Sequence, residues 1–394
     1  MTIDIDQIRR ATPGCAHVTH LNNAGAALMP RPVIDTVRSY FELEANIGGY
    51  ETVRQRHDQI EAVYGSIASL INCTRDEVAV VENATRAWDM AFYSIPFSPG
   101  DRILTCVSEY ASNFIPYLQV GRKTGARVEV IPNDEYGQVS LQALEDMVDA
   151  TVKLIAITHV PTNGGLVNPA AGIGRIARAN NIPYLLDACQ SAGQLPLDVD
   201  EIGCDLLSAT SRKFLRGPRG MGFLYARRDL IGRLEPPFLD LHSATWVSRD
   251  NYRIRDDARR FENWECNYSA KVGLGAAVDY ALELGIDETW ARIHQLGESL
   301  RSSLSAIPGV ILHDLGQTRC GIVTFSIANR GPVDIREQLE RHKINVSVVN
   351  PEDTLLDMTQ RQLRNFIRAS VHYYNTEEEL QAFCARVETI GDNG

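Results

Sequence analysis

Short hydrophobic segments alternate with longer segments of helical periodicity between about residues 75 and 230, and this alternation restricts the fold more than any other feature. The hydrophobic segments are nearly continuous, as in strands that are buried on both faces. They are EVAVV (77–81), RILTCV (102–107), ARVEVIP (126–132), KLIAITHV (153–160), IPYLLDA (182–188) and MGFLYAR (221–227). Between them, ATRAWDMAFYSI, SLQALEDMVDA and PAAGIGRIARAN place apolar residues at helical spacing. The pattern predicts an α/β sheet that is covered by helices on both faces.

The pattern changes after about residue 265. Two helical segments, GLGAAVDYALELG and ETWARIHQLGESLRSSLSAI, lead into predicted strands at 321–327 and 344–349. We then predict a helix at RQLRNFIRAS, a strand at VHYY and a terminal helix from about residue 377. Helices and strands grouped in this way are typical of a smaller α+β domain.

The division into domains follows from this change of pattern, since no repeat, low-complexity tract or polar linker marks a boundary. We predict a large domain at 21–264 and a small C-terminal domain at 265–394. The N-terminal segment, 1–20, is expected to pack back onto the small domain. A length of 394 residues is compatible with this organisation.

Charge and composition exclude several classes of protein. The net charge is −11, and this acidic surplus argues against binding to nucleic acid or to an anionic membrane, because phosphate binding depends on clustered cations. No apolar run approaches the roughly 20 residues that span a bilayer, and the first residues lack the layout of a signal peptide. The eight cysteines form no CxxC pair, so neither a metal site nor a disulfide framework is expected. We expect a soluble cytoplasmic protein.

A lysine and an aspartate carry the chemistry. Lys213 lies in LLSATSRKFLRGPRGMGFLY (206–225), after a predicted strand and before a turn rich in glycine and proline, while Asp187 ends the strand IPYLLDA. A buried carboxylate is costly unless it is paired with a cation. Pyridoxal 5′-phosphate satisfies both groups, because lysine binds it as a Schiff base and a carboxylate keeps its ring nitrogen protonated. We therefore predict Lys213 and Asp187 as catalytic residues.

Other segments supply what the phosphate and the ring of this cofactor require. VENATRAWDM provides a strand, a turn at Ala84 and Thr85, and a helix, and a helix N-terminus binds phosphate. Thr210 and Arg212 are expected to contact the same dianion, and Tyr110 in SEYASNF is a candidate stacking partner for the ring. Taken singly, Thr85 reads as an ordinary helix cap and Tyr110 as a core aromatic residue. Their order along the chain favours the cofactor.

These motifs together resemble the class V aminotransferase family of fold-type I pyridoxal-phosphate enzymes. That family includes cysteine desulfurases, isopenicillin-epimerase-like enzymes and hercynylcysteine-sulfoxide-lyase-like proteins. The resemblance runs from LNNAGAALMP (21–30) to IRASVHYYNTEEEL (367–380), and DACQSAGQ followed by SRKFLRGPRGMGFLY is its most specific part. It implies a large domain with a mostly parallel seven-stranded sheet, a smaller α+β domain, and a homodimer with its active sites at the subunit interface.

The resemblance also implies roles for individual residues. Lys213 matches the Schiff-base lysine, Asp187 the partner of the pyridine nitrogen, and Gln190 the partner of the ring hydroxyl. Arg368 matches the arginine that binds the substrate α-carboxylate, a planar anion that suits a guanidinium group. The implied cofactor contacts are completed by Ala84, Thr85, Arg86, Tyr110, Thr210, Arg212 and Glu265. The implied substrate contacts are completed by Asn23, Ala24 and either Thr162 or Asn163.

Three departures from the family pattern affect the function. Cysteine desulfurases carry a catalytic cysteine before the carboxylate-binding arginine, whereas the matching segment VVNPEDTLLDMTQ (348–360) has none, so no persulfide forms by that route. Tyr110 replaces a ring-stacking histidine, and a phenol is a poorer base near neutrality. Trp264 and Glu265 replace small residues in FENWECN, which predicts either a reshaped pocket or interface packing.

The favoured function is therefore a lyase that cleaves the C–S bond of a cysteine-derived amino acid by β-elimination. The close alternatives are transamination, oxidative deamination or decarboxylation of a specialised amino acid, and epimerisation. A third hypothesis is a non-catalytic protein on the same fold, which the presence of Lys213, Asp187 and Arg368 disfavours.

Overall fold

Seven strands form a single, mostly parallel sheet in the computed structural model, which describes residues 3–392. The predicted N-terminal segment begins at residue 1 and the predicted small domain ends at residue 394. Residues 1–2 and 393–394 lie outside the described range. The strands are β2 (Val78–Val81), β3 (Arg102–Cys106), β4 (Arg127–Ile131), β5 (Val152–Thr158), β6 (Tyr184–Asp187), β7 (Leu206–Thr210) and β8 (Gly222–Ala226). Their order is β2-β8-β7-β6-β5-β3-β4, and only β8 runs antiparallel to its neighbours. The predicted α/β sheet is confirmed, and each of the six hydrophobic segments contains one strand.

Both faces of this sheet are buried. Alternate residues of one strand enter different clusters: Val78 and Val80 pack with one set of helices, and Ala79 and Val81 with another. The strands that are buried on both faces carry no polar alternation, which explains their continuous hydrophobic sequence. The edge strand β4 differs, because its Arg127 is exposed and its Glu129 is partly exposed.

Fifteen helices are present among residues 3–392. They are α1 (Ile5–Arg10), α2 (Arg31–Ile47), α3 (Gly49–Gln55), α4 (His57–Ile71), α5 (Ala84–Phe92), α6 (Ala111–Thr124), α7 (Leu141–Met147), α8 (Ala170–Ala179), α9 (Val199–Ile202), α10 (Arg228–Ile231), α11 (Tyr268–Leu284), α12 (Ile286–Ser305), α13 (Pro332–Arg341), α14 (Leu355–Gln360) and α15 (Glu377–Asp392). The terminal helix predicted from about residue 377 is therefore confirmed. None of the helices among these residues is long and apolar enough to cross a membrane.

A second, antiparallel sheet of four strands lies in the C-terminal part. Its strands are β11 (Val310–Leu312), β12 (Ile322–Ile327), β14 (Ser347–Val349) and β15 (Phe366–Ser370), in the order β11-β12-β15-β14. The segment predicted as one strand at 344–349 is divided, because β13 (Ile344–Asn345) instead pairs in parallel with β1 (Thr19–His20). Arg9 of the N-terminal segment also forms an ion pair of 2.9 Å with Glu379 on α15.

The prediction of a helix at RQLRNFIRAS and a strand at VHYY is wrong. Residues 366–370 form β15, which pairs with β12 on one side and β14 on the other, and VHYY follows as irregular structure. Leu363, Phe366 and Ile367 have helical spacing, but all five residues of β15 are buried within the sheet. Tertiary pairing on both sides therefore overrides the local pattern.

The helix α11 belongs by its contacts to the large sheet. Its buried residues Ala270, Leu274 and Val278 share a hydrophobic cluster with Val63 and Ile67 of α4. We therefore propose that the domain boundary lies nearer the end of α11 than residue 265.

A two-stranded hairpin stands apart from both sheets. It consists of β9 (Ala244–Ser248) and β10 (Asn251–Ile254), and it exposes the side chains of Trp246 and Tyr252. The hairpin lies in the segment that leads to Trp264 and Glu265.

Candidate active site

The candidate site lies at the edge of the large sheet where the parallel strands have their carboxyl ends. Asp187 is the last residue of β6, Thr210 is the last residue of β7, and Lys213 follows shortly after. β6 and β7 are neighbours in parallel register, with Asp187 opposite Ser208. Ligands of open α/β sheets bind at this edge, because the loops that follow the strands converge there.

Asp187 is fixed by two donors. Its Oδ2 atom accepts a hydrogen bond of 2.8 Å from the Asn113 side-chain amide, and its Oδ1 atom accepts one of 2.9 Å from the backbone N–H of Cys189. The residue is only 5% exposed. A buried carboxylate held in one orientation suits the ring nitrogen of the predicted cofactor.

Lys213 has an amine suited to nucleophilic attack. Burial lowers the pKa of Lys213, and the charges of Arg212 and Arg368 act in the same direction, while Cys189 and Asp187 act against it. A lowered pKa increases the fraction of neutral amine, which is the form that attacks a carbonyl group.

The N-terminus of α5 lies against the ends of β7 and β8. Gly222 permits this approach, since a Cβ atom there would lie 2.6 Å from the Ala209 carbonyl oxygen and 2.9 Å from the Ala84 nitrogen. Thr210 pairs directly with Gly222 and so lies beside the first turn of the helix. Backbone N–H groups in a first turn have no partner within the helix and can bind a phosphate.

The residue that caps α5 is Asn83 and not Thr85, which the sequence taken singly suggests as the cap. Asn83 caps α5, accepting a hydrogen bond of 2.9 Å from the Arg86 backbone N–H, and Thr85 is an exposed residue of the first turn. The guanidinium group of Arg86 lies 4.8 Å from the centre of the Phe238 ring, so its side chain is directed toward that residue.

Arg212 contacts the N-terminal LNNAG loop. Its guanidinium group donates to the Gly25 carbonyl oxygen, and its own carbonyl oxygen accepts from the Ala27 N–H at 2.9 Å. Electrostatic interactions also join Arg212 and Arg368 to Tyr110, the N-cap residue directly before α6. The phosphate-binding role implied for Arg212 remains a prediction.

Arg368 is a buried cation with part of its donor capacity unused. One guanidinium nitrogen donates to the Thr162 carbonyl oxygen at 2.9 Å and to its hydroxyl at 2.8 Å, whereas the buried Nε atom has no partner. Burial lowers the pKa of Arg368 to about 10. A desolvated guanidinium group with a free donor is suited to a carboxylate ligand.

Thr162 and Asn163, which the sequence could not separate, have different surroundings. Thr162 contacts Arg368 and also accepts a hydrogen bond of 3.3 Å from the Gln190 side chain. Asn163 donates to the Thr354 hydroxyl at 2.9 Å and so holds the segment that precedes α14. We therefore propose Thr162 as the residue beside the substrate carboxylate.

The LNNAG loop is tied to β15 by Asn23 and Ala24. The Asn23 side-chain amide donates to the Ser370 carbonyl oxygen at 2.7 Å and accepts from the Tyr374 hydroxyl. The Ala24 N–H donates to the Ser370 hydroxyl at 2.9 Å. These bonds give Asn23 a positioning role, and its implied contact with substrate remains a prediction.

Glu265 lines a separate surface cavity. The cavity has a volume of about 730 Å³, and its lining residues include Phe41, Tyr50 and Tyr268 but not Lys213. Trp264 is 44% exposed, and its backbone N–H donates to Asp240 at 2.6 Å. The contact with the cofactor that the resemblance implies for Glu265 remains a prediction.

The residues at the sheet edge fit pyridoxal 5′-phosphate. Gln190 is 2% exposed, its amide nitrogen donates to the Ala24 carbonyl oxygen at 3.2 Å, and its Oε1 atom is buried without a partner. That acceptor suits the ring hydroxyl, as the carboxylate of Asp187 suits the ring nitrogen and the amine of Lys213 suits the aldehyde. Among residues 3–392, no group of three or more side chains is arranged to hold a metal ion.

Sequence reasoning missed Glu109 and Asn113. Glu109 is 3% exposed, and Asn113 joins it to Asp187. The available signal was the pair of polar residues at i and i+4 in SEYASNF, directly after a buried strand. The need for a ring that stacks on the cofactor points only to Tyr110 in this segment.

The sheet, the lysine after β7 and the aspartate at the end of β6 define a fold-type I pyridoxal-phosphate enzyme. The family model described as aminotransferase class-V matches residues 19–383, and the chain belongs to that family. The family depends on pyridoxal 5′-phosphate, which is therefore the cofactor of this enzyme.

Relatives with curated names extend this comparison. The chain is 32% identical, over 99% of its length and 98% of the relative, to a probable cysteine desulfurase of Methanothermobacter thermautotrophicus. It is 30% identical, over 93% of its length and 89% of the relative, to a probable cysteine desulfurase of Synechocystis.

Solved structures agree with the fold. The apo cysteine desulfurase of Thermococcus onnurineus NA1 superposes with a TM-score of 0.93 at 25% identity, over the full length of both chains. The cystine C–S lyase C-DES, in complex with cysteine persulfide, has a TM-score of 0.86 at 23% identity, over 96% of this chain and 99% of the other. Because its sequence identity is only 23%, the similarity to C-DES supports the fold alone.

Proposed function

We propose that this enzyme cleaves the C–S bond of a cysteine-derived amino acid by β-elimination, without a catalytic cysteine on the segment 348–360. The observation that carries the proposal is the sequence VVNPEDTLLDMTQ, which contains no thiol although the carboxylate-binding Arg368 and the pair Lys213 and Asp187 are present. Relatives named as desulfurases support C–S chemistry, and the missing thiol favours elimination.

No other thiol replaces the missing one at the sheet edge. Cys189 interacts with Asp187 and Lys213, but burial and the neighbouring carboxylate raise its pKa. The thiol form is a weak nucleophile. The raised pKa disfavours the thiolate form, so the proposed mechanism gives Cys189 no role as a nucleophile.

The residues of the chain account for substrate binding and proton transfer. Arg368 binds the α-carboxylate, and Thr162 holds the guanidinium group in place. When bound, the cofactor supplies an electron sink that stabilises negative charge at Cα. Asp187 keeps the ring nitrogen protonated, and Lys213 Nζ takes the Cα proton. The thiol leaves from Cβ, and water completes the reaction to pyruvate and ammonia.

The products distinguish this reaction from its alternatives. Purified holoenzyme is incubated with S-conjugated cysteines, cystine and L-cysteine, and pyruvate, ammonia, alanine, released thiol and persulfide are measured. Elimination gives equal amounts of pyruvate, ammonia and thiol from an S-conjugate. Alanine together with persulfide from L-cysteine would support desulfuration, the activity named for the relatives. A 2-oxo acid formed only with an amino acceptor would show transamination and overturn the lyase.

Substitution of Arg368 tests the carboxylate site. Arg368→Lys retains a cation but loses the planar fork, so we expect KM to rise roughly 10- to 100-fold, equivalent to about 1.5–3 kcal/mol for a hydrogen bond to a charged group, with a smaller change in kcat. Arg361→Lys is the matched control, since Arg361 pairs with Asp357 at 3.3 Å on α14. An unchanged KM in Arg368→Lys would refute the assignment.

We further propose that the enzyme is a homodimer in which Trp264 and Glu265 approach the partner's site. Phe41 and Tyr50 are exposed and line the same cavity as Glu265. Trp264, which is also exposed, directly precedes Glu265 in the sequence. Large aromatic residues of this kind anchor interfaces.

Replacement of Trp264 by alanine is expected to weaken dimerisation about 5- to 150-fold, which corresponds to roughly 1–3 kcal/mol. Sedimentation equilibrium measures the dissociation constant. Tyr136→Ala, which removes an aromatic side chain that is 45% exposed in the turn after β4, is the control. A wild-type enzyme that is monomeric at micromolar concentration and fully active would contradict the proposal.

A further inference from the structure

Glu109 is a buried carboxyl group directly behind the cofactor-binding aspartate. It lies between β3 and α6 and is 3% exposed. Its two oxygens accept hydrogen bonds from the Thr105 hydroxyl (2.8 Å), the Thr158 hydroxyl, the Asn113 amide (2.9 Å), the Tyr110 backbone N–H (2.8 Å) and the Tyr117 hydroxyl (3.3 Å). Five donors from three neighbouring segments thus converge on one side chain.

Asn113 joins this carboxyl group to Asp187. Its amide nitrogen lies 2.9 Å from Glu109 Oε1 and 2.8 Å from Asp187 Oδ2. A side-chain amide has two N–H hydrogens, so both are used to bridge the two acidic residues. If the Asn113 amide were rotated by half a turn, its oxygen would face the carboxyl oxygens of Glu109 and Asp187, to which it cannot donate. Glu109 therefore fixes the Asn113 orientation that holds Asp187.

The charge of Glu109 is sensitive to conditions near neutrality. Burial raises the pKa of Glu109 to about 7, the hydroxyl and amide donors oppose this, and the charge of Asp187 adds to it. The other titratable groups that face Glu109 are Cys106 at the end of β3 and Tyr117 on α6, and burial raises the pKa of both, so they stay protonated. Glu109 is consequently the group in this cluster whose charge changes around pH 7.

We propose that Glu109 is a positioning residue for the cofactor, which orients Asp187 through Asn113 and adds negative charge that keeps the ring nitrogen protonated. The inference rests on the cofactor and not on the outcome of the reaction, and its test uses holoenzyme without substrate. A failure of the lyase proposal would leave it unchanged.

The test compares wild type with Glu109→Gln. Equilibrium dialysis gives the dissociation constant of the cofactor, and NMR of ring-¹⁵N-labelled cofactor reports the protonation of the ring nitrogen between pH 6 and 9. The glutamine side chain in this variant has no negative charge, and its NH₂ group faces the hydroxyl and N–H groups that donate to the carboxylate in the wild type. We therefore expect about 10-fold weaker cofactor binding and a ring-nitrogen pKa lower by about 1. The additional change of the ¹⁵N signal that follows the charge of Glu109 near pH 7 should be absent, so that only the titration of the ring nitrogen remains.

Two further variants make the result decisive. Glu77→Gln is the control, because Glu77 is also a buried carboxyl group, bonded to Thr74 at 3.0 Å, but lies in the turn before β2. Its cofactor affinity and ¹⁵N signal should match wild type. Asn113→Ala removes the bridge and should weaken cofactor binding to a similar extent, and it decides the question if Glu109→Gln does not fold. Wild-type affinity and ¹⁵N signal in a folded Glu109→Gln, or in Asn113→Ala, would overturn the proposal.

Discussion

Replacement of Lys213 by alanine is expected to lower turnover by about 10³-fold or more, because the variant loses both the amine that attaches the cofactor and the base that moves the Cα proton. The visible absorption of the lysine-bound cofactor should disappear. The fold should persist, since residue 213 lies in the turn after β7 and outside the hydrophobic clusters. Cofactor binding through the phosphate contacts should remain, in non-covalent form.

Borohydride reduction followed by peptide mass spectrometry provides the direct measurement. The wild type should carry the reduced cofactor on the peptide that contains Lys213, and the variant should carry none. Lys123→Ala, at the exposed end of α6, is the control for removal of a lysine. Wild-type turnover in Lys213→Ala would end the assignment of this residue, and a modified peptide elsewhere would identify the true attachment site.

Asp187→Asn is expected to reduce kcat about 10²–10³-fold, the effect typical of losing a preorganised electrostatic group. The amide has the same shape but no negative charge, so the ring nitrogen loses the partner that keeps it protonated and the ring becomes a poorer electron sink. Asp187→Glu retains the charge and should recover part of the activity.

The matched control for this substitution is Asp205→Asn. Asp205 is a partly buried aspartate near the opposite ends of β6 and β7, where it accepts a hydrogen bond of 2.9 Å from the Tyr184 N–H. Its replacement should affect stability more than kcat. Steady-state kinetics and thermal unfolding of both variants separate the two effects, and an unchanged kcat in Asp187→Asn would remove the electron-sink role from this residue.

The sequence predicted the large sheet and its two central chemical groups for one physical reason. Strands buried on both faces must be largely apolar, so most strands of the sheet stand out in the sequence as nearly continuous hydrophobic runs. A polar residue at the end of such a run, as Asp187 is, stands out against it. Lys213 follows a strand in the same way, and the carboxyl ends of neighbouring parallel strands meet at one edge.

The small domain was less predictable. β15 has the spacing of a helix and becomes a strand only because β12 and β14 pair with it on both sides. Arg368 lies on this strand and faces Thr162, which is far away in sequence. From the residues alone Arg368 reads as a surface charge, and only the family resemblance indicated its role.

The sequence by itself thus determined the fold of the large domain and the cofactor, and it predicted Lys213 and Asp187 as the residues at the cofactor's reactive atoms, because these inferences depend on local patterns and on chemically distinctive side chains. Tertiary structure alone decided the surroundings of those residues. Asn113 bridges Glu109 and Asp187, Thr162 and not Asn163 contacts Arg368, and these pairings depend on distances between segments that are remote along the chain. Hydrogen bonds between remote segments leave no periodic trace in a sequence, since any polar residue can serve once the fold has brought it near.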